Sequence, residues 1–318
     1  MACSVCGTDL KISRYGHHRI VAPRVLGHEV AGEVAGLGEG VSGWAEGDRV
    51  QVIAAIPCAQ CADCRSGRMT VCQGLEGIGY HHDGGFADYL RVPAKVLAVG
   101  GLNRIPDGIE FAEASLTEPL ACVLHGQDLT DIRPGDVVAV VGCGPVGCLQ
   151  ARAARARGAA RVILSGRARD RLARAAERVQ PDHIVCAEDG DIADQVLDLT
   201  SGRGADVVIV AAASAQACQQ AVRYAARRGR ISLFASLPAG ESMTAVDINL
   251  AHYRELVITG ASGSSPADHA RAMHLIATGA VRVADLITHR LPLNRFPEAL
   301  EILAQGGALK VTIEPGVA

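Results

Sequence analysis

The chain has 318 residues, 49% of them hydrophobic and 20% charged, with a formal net charge of −3. This length supports one large domain or two, each with its own core, and the composition is ordinary for a globular protein. The near-neutral charge leaves no footprint for nucleic acid, and the chain shows neither a charged-then-apolar leader nor a membrane-length apolar run. A cytoplasmic protein with no nucleic-acid and no membrane partner is therefore expected.

The first 120 residues or so are rich in Gly, Pro and Val, with short extended runs such as 48–53 between turn residues. That texture predicts a mostly-β region. Between 123 and 285, apolar strands alternate with Ala/Arg/Leu helices. Strands are expected at 137–141, 161–165, 206–210, 230–234 and 255–259, and helices at 146–156, 170–179, 191–200 and 215–226. Such alternation implies a doubly wound parallel sheet with right-handed crossovers, so the fold class is α/β. The tail from Leu291 carries a proline, then a helix near 296–303 and a last strand near 309–313.

Three groups of residues carry chemistry. Near the start, Cys6-Gly-Thr-Asp9 is followed by Gly27-His28-Glu29. Cys, His and Glu are competent zinc ligands, and three protein ligands plus one open position is the pattern of a catalytic zinc site. Taken alone, a Cys and a His-Glu pair so far apart are more often structural than ligands. Next, Cys58, Cys61, Cys64 and Cys72 crowd into fifteen residues. In a reducing compartment such cysteines are metal ligands more often than disulfides, and four thiolates close a tetrahedral shell that leaves no room for substrate. This lobe reads as a structural zinc site. The third group is Gly142-Cys-Gly144-Pro145-Val146-Gly147, directly after the apolar run 137–141 and at the opening of a helix. The first glycine permits the tight turn, the second lets backbone approach a pyrophosphate, and the third lets helix pack on strand. Pro145 suits the first helical turn, whose N–H groups and dipole then face the phosphates.

In NAD-specific sheets of this kind a carboxylate ends the second strand, ~20 residues past the glycine turn, and holds the ribose hydroxyl. Here that position is Gly166, preceded by Ser165 and followed by Arg167. Glycine removes the carboxylate that would repel a 2′-phosphate, Arg167 offers a donor fork, and Ser165 adds a hydroxyl. Asp170 fits the N-cap of a helix over 171–179. NADP is therefore expected in preference to NAD, with NAD still usable. The Arg-rich stretch 167–178, interleaved with Ala and Leu at helical spacing, reads as a solvated helix face.

Cys6-Gly-Thr-Asp, Gly27-His-Glu-x-Ala-Gly, Gly47-Asp-Arg-Val, the cysteine lobe, Thr117-Glu-Pro-Leu-Ala and the glycine turn occur in the order found in zinc-containing medium-chain dehydrogenases. Essentially the whole chain resembles that superfamily, and most of all its polyol (sorbitol-type) and threonine dehydrogenase branch. The resemblance implies a GroES-like, mostly-β catalytic domain over 1–122 and 286–318, and a Rossmann domain over 123–285. It implies two zinc ions per chain, one catalytic and one structural. Cys6 and His28 become catalytic ligands, with Glu29 and Glu118 the alternatives for the remaining protein contact. Thr8 matches the hydroxyl that passes the substrate proton outward. Lys310 matches a residue reaching the cofactor phosphates from the returning tail. A homodimer or homotetramer, paired through the edge of the Rossmann sheet, is implied as well.

The chain departs from the family pattern in two places. The family normally begins earlier, with strands that this chain lacks. Either the start is truncated or the catalytic domain is abbreviated, which would expose a sheet edge. Lys11 stands where many relatives carry a relay histidine, and the nearby His17 and His18 read as surface residues. Cys3, Cys122, Cys143, Cys148, Cys186 and Cys218 read as small buried hydrophobes, and His252 as structural or interfacial.

The activity so implied is hydride transfer between NAD(P) and a secondary alcohol, or its ketone: a polyol, cyclitol, sugar derivative or amino alcohol. A threonine-type enzyme using NAD is one alternative. A zinc-free quinone reductase of the same fold is a second, against which Cys6, His28 and the lobe all argue. The third is a catalytically dead, crystallin-like or scaffolding relative.

Overall fold

The computed structural model describes residues 1–238 and 240–316. Its first six strands are β1 (Ala2–Ser4), β2 (Glu29–Glu33), β3 (Arg49–Val52), β4 (Ala55–Ile56), β5 (Glu76–Gly77) and β6 (Leu102–Arg104). Six more follow: β7 (Val137–Val141), β8 (Arg161–Gly166), β9 (His183–Cys186), β10 (Ala205–Val210), β11 (Ala225–Leu233) and β12 (Val257–Gly260). The tail adds β13 (Ile287–Leu291) and β14 (Lys310–Ile313). The chain forms two compact units, Met1–Cys122 with the segment from Gly263 on, and Val123–Ser262.

The first unit is built on a sheet of order β13-β14-β1-β2-β3-β6, with β4 and β5 as a separate ribbon. β1 is an interior strand: Cys3 lies opposite Val30 on one side and Ile313 on the other. The exposed edge expected from the early start is therefore not at β1. Cys3, Val30, Val52, Ile53, Val311 and Ile313 form the core of this unit, with the Phe86 and Phe296 rings 4.4 Å apart between their centroids. Residues 263–285 also belong here, which moves the expected boundary at 285/286. The reason is apolar burial. The helix Pro266–Ala277 packs Met273 against Ala31, Ile105 and Ala114, and His269 bonds to Gln51 of β3. This helix was not anticipated, although its start is signalled: Ser265 caps it reciprocally with Asp268, and Pro266 occupies the first turn.

The second unit is the expected parallel sheet, in the order β12-β11-β10-β7-β8-β9. Its connections reverse direction between β7 and β10, as in a doubly wound nucleotide-binding sheet. Val-Val-Ala-Val-Val of β7 is buried throughout, without alternation, as for a strand covered on both faces. Helices Pro145–Ala156, Ile192–Leu199 and Ala215–Tyr224 fall where periodicity put them. Helix Arg169–Val179 begins earlier than expected. Its N-cap is Ala168, so Asp170 is not a cap but a first-turn carboxylate that complements the helix dipole. At the open edge, Val257 and Ile258 of β12 are exposed, together with Ile248 and Tyr253 of the preceding helix.

Candidate metal and cofactor sites

Cys6 follows β1 and sits at the N-terminus of helix Gly7–Tyr15, where its backbone N–H donates to Asp9 Oδ2 at 2.8 Å. Asp9 is buried, and its other oxygen lies 3.5 Å from His28 Nδ1 with no hydrogen-bond partner of its own. With the carboxylate facing Nδ1, Nε2 is the ring nitrogen left to bind a metal. Gly27 makes the approach feasible. Its φ is +99°, and a Cβ there would meet Cys3 Sγ at 2.7 Å and Phe86 N at 2.9 Å. The next residue, Glu29, opens β2. Ligand atoms of Cys6, His28 and Glu29 all lie within 4.8 Å of one another. Thiolate, imidazole and carboxylate so grouped fit a zinc ion with one position left open.

Of the two glutamates, the structure brings Glu29 into this set and leaves Glu118 outside it. Glu118 is buried beside it, and its Oε1 accepts from the Cys122 thiol at 3.5 Å. Cys122 is thus half-buried and hydrogen-bonded, not the inert apolar residue expected. Its thiol also contacts Ser264 Oγ at 3.6 Å, and Ser264 Oγ lies 3.1 Å from His269 Nε2. His269 Nδ1 faces Gln51 Oε1 at 3.2 Å, which Asn103 joins at 3.0 Å.

Lys310 is not a solvated residue on a strand edge. It is 2% exposed, and its Nζ donates to Glu29 Oε1 at 2.7 Å and pairs with Oε2 as well. The Lys310 ammonium is therefore engaged with Glu29, a partner that the sequence did not indicate. Burial pushes the Glu29 carboxyl up to about 7; the Lys310 ammonium opposes the rise and the Glu118 charge adds to it. Thr8 is half-buried in the first helical turn, two residues from Cys6. Tyr80, which the sequence reading did not single out, brings its ring centroid 5.8 Å from that of His28. Burial pushes its phenol up to about 12. Nothing local in Gly-Ile-Gly-Tyr80-His marks the residue, because the chain segments that make it important are distant in sequence. His17 is half-buried against Tyr80, with centroids 5.2 Å apart, whereas His18 is exposed as expected.

In the cysteine lobe the sulfurs of Cys58, Cys61, Cys64 and Cys72 also lie within 4.8 Å of one another, and none is in a disulfide. The Cys58–Cys64 and Cys61–Cys72 separations are 4.0 Å and 3.9 Å. A tetrahedron with Zn–S near 2.3 Å has edges of about 3.8 Å, so the donor set fits zinc without rearrangement. Backbone N–H groups of Cys58, Cys61 and Cys64 point at Sγ of Cys72, Cys58 and Cys61, at 3.2, 3.4 and 3.5 Å. Such donors favour thiolates, and the Cys64 N–H draws the Cys61 thiol down to about 6.

The glycine turn of the second unit has the anticipated form. Gly142 has φ +112°, Gly144 is the N-cap of helix Pro145–Ala156, and a Cβ on Gly147 would lie 1.8 Å from Gly142 O. Val146 follows Pro145 in the first turn, where the backbone N–H groups are free. Ser165 departs from expectation: it is buried, and its hydroxyl donates to Val140 O at 3.2 Å, so it cannot face a ribose. Gly166 is held small by its surroundings, since a Cβ would meet Cys143 Sγ at 2.8 Å. Arg167 is exposed. Arg171 was missed. Its Nη2 lies 3.3 Å from where a Gly144 Cβ would be, and its Nε is buried without a partner. The helical spacing that made this arginine read as solvated hid its reach across the turn.

Two family models match the chain, the alcohol dehydrogenase GroES-like domain over residues 1–101 and the zinc-binding dehydrogenase over residues 145–278. A sorbitol dehydrogenase of Halalkalibacterium halodurans is 33% identical over 98% of this chain and 89% of its own. An L-threonine 3-dehydrogenase of Bacillus licheniformis is 34% identical over 99% of this chain and 89% of its own. A crystal structure of a zinc-binding dehydrogenase from Sinorhizobium meliloti 1021 bound to NADP superposes with a TM-score of 0.90. That protein is 34% identical, with 99% of this chain and 90% of the other covered. With GroES-like and nucleotide-binding units, two zinc-competent donor sets and these relatives, the chain belongs to the zinc-type alcohol dehydrogenases of the polyol and threonine branch, oxidoreductases acting on secondary alcohols.

Proposed function

We propose that the protein oxidises a secondary hydroxyl of a polyol-like substrate, or reduces the matching ketone, with NADP preferred over NAD. The observation that carries this reading is the grouping of Cys6, His28 and Glu29 within 4.8 Å, beside Thr8. Cys6 Sγ, His28 Nε2 and a Glu29 oxygen would hold the catalytic zinc, and the four lobe cysteines the structural one. In the first site zinc supplies Lewis acidity that makes an alcohol proton easier to remove. Asp9 faces His28 Nδ1, and Lys310 fixes the Glu29 carboxylate. Thr8 Oγ1 accepts the proton of the alcohol and passes its own outward. Tyr80 and Glu118 offer a donor and an acceptor to substrate hydroxyls.

The second unit serves as the dinucleotide-binding domain, with the turn Gly142, Gly144, Pro145, Val146, Gly147 presenting helix N–H groups to the pyrophosphate. Gly166 leaves room for a 2′-phosphate, which Arg167 and Arg171 bind. The bare β12 edge, with Val257, Ile258, Ile248 and Tyr253 exposed, supports a dimer, or a tetramer built from it, and His252 lies beside this surface. A cytoplasmic location agrees with eleven cysteines of which none among the described residues is in a disulfide.

Metal analysis with a substrate screen tests the proposal. Two zinc per chain and turnover of polyols or cyclitols, better with NADP, are expected. Turnover confined to L-threonine with NAD would replace it with the threonine-type reading. Absence of any alcohol oxidation in the zinc-loaded protein would leave a scaffolding relative.

A further inference from the structure

Between Asp9 and Glu29 the sequence contains no acidic residue, while Lys11, Arg14, His17, His18, Arg19 and Arg24 all fall in that stretch. Arg24 is paired with Asp83 at 3.0 Å. Arg19 has no carboxylate partner among the described residues, and Glu76, which precedes the His81-bound Gly77, is already taken by His82 at 2.7 Å and by Lys95. The His17 and His18 rings stack at 4.4 Å between centroids. Burial, and then the charges of His18, Arg19 and His81, hold His17 below its ordinary pKa, so these four groups crowd one another. The Arg19 guanidinium is thus a cation set among imidazoles that can donate, and the ligand that suits such a set is an anion.

Two of the rings are set to donate. His17 Nδ1 accepts from the Arg19 N–H at 3.2 Å, and His81 Nδ1 accepts from the Gly77 N–H at 3.1 Å. Each neutral ring then carries its proton on Nε2, and neither Nε2 has a partner among the described residues. The cluster stands one ring away from the candidate metal ligands: Tyr80 lies 5.8 Å from His28 and 5.2 Å from His17. Tyr80 thus stands between the group Cys6, His28 and Glu29, where a reacting hydroxyl would sit, and the His17 ring.

We infer that the substrate is an acidic polyol, whose terminal carboxylate or phosphate is received by His17, His18, Arg19 and His81 across Tyr80 from the reacting hydroxyl. This deepens the alcohol dehydrogenase reading and rests on it. Charge-assisted bonds from a guanidinium and imidazoles would act on substrate binding, so the gain appears in KM and weakens with salt.

The zinc-loaded enzyme with NADP is assayed on sorbitol, gluconate and sorbitol 6-phosphate, which share a carbon chain and differ at one end. The expected result is a kcat/KM at least about tenfold higher for one of the anions, carried by KM and reduced in 0.5 M salt. Which anion wins separates carboxylate from phosphate. In the R19A/H81Q double variant that ratio should fall toward one, whereas R295A, a remote charge change, should keep it. Sorbitol serving as well as both anions, or a ratio that survives R19A/H81Q, overturns the inference. Thermal shift measures binding apart from turnover. One of the anions should raise Tm more than sorbitol does, and the difference should vanish in R19A/H81Q; equal shifts overturn the inference. Anion-specific shifts without oxidation of any alcohol would instead count against the dehydrogenase reading alone.

Discussion

Lys310 Nζ lies 2.7 Å from Glu29 Oε1, both residues are buried, and the bond ties the last strand of the chain to the start of its second. Deleting one partner of such a pair leaves an uncompensated charge, at a cost of roughly 3–5 kcal/mol. The K310M variant is therefore expected to melt well below the parent. It should also hold its catalytic zinc less tightly, because Glu29 loses the group that positions it. Zinc content after dialysis, falling from two per chain toward one, checks this; unchanged zinc and Tm would show that the pair is dispensable.

The two metal sites should separate by mutation. C6A is expected to abolish turnover and remove one zinc while Tm changes little, since Cys6 is at the end of a helix and not in the core. C64A should release the other zinc and lower Tm by roughly 10 °C, because three thiolates cannot close the shell. Metal analysis and calorimetry on the two proteins give the comparison. Substantial turnover in C6A would contradict the assigned role.

For the cofactor, kcat/KM with NADP should exceed that with NAD. R167A and R171A should each raise the KM for NADP about tenfold, the loss of one charge-assisted bond, with little effect on NAD. Restoring the missing carboxylate is harder than the sequence suggests. G166D alone would drive its Cβ into Cys143 Sγ, 2.8 Å away, and should lose stability. The C143A/G166D pair is expected to recover it and favour NAD. Equal specificity constants in the parent enzyme would refute the preference.

His269 should make the protein acid-sensitive. Burial pushes its imidazole down to about 3, well below the ordinary value near ~6.5. The folded state therefore keeps this ring neutral while the unfolded chain protonates it. Its stability contribution is complete above about pH 6.5 and is lost as pH falls from there toward 3, at up to ~1.4 kcal/mol per pH unit. Tm measured from pH 7.5 to 5 should drop less steeply in H269Q than in the parent. Parallel curves would show that another group sets the acid limb.

A charge placed on the bare edge should block assembly. I258E, in the exposed row of β12, is expected to give monomers where the parent gives dimers or tetramers, read by light scattering at micromolar concentration. A parent that is already monomeric there would refute the assembly proposal.

Much of this was legible in the sequence, and the parts that were not share a cause. The lobe and the glycine turn are local, so residue spacing carried both their identity and their geometry. Cys6, His28 and Glu29 needed the family resemblance, because nothing in the spacing says that β1 and β2 lie side by side. Lys310 and Ser165 have partners that spacing hides, for a related reason. A lysine on a strand or a serine at a strand end looks available until its partner, 281 or 25 residues away, is in place. The helix Pro266–Ala277 was lost to a boundary drawn by texture, although Ser-Pro-x-Asp at its start is a readable cap.

The position of β1 between β2 and β14 has a consequence for how the protein is made. The metal-binding unit joins segments from before Val123 and after Ser262, whereas Val123–Ser262 is continuous and can fold once it has been synthesised. Cys6, His28 and Glu29 therefore wait for the last strand, and Glu29 goes without its counter-charge until Lys310 arrives. Trimming or tagging the C-terminus would consequently be felt at the metal ligands.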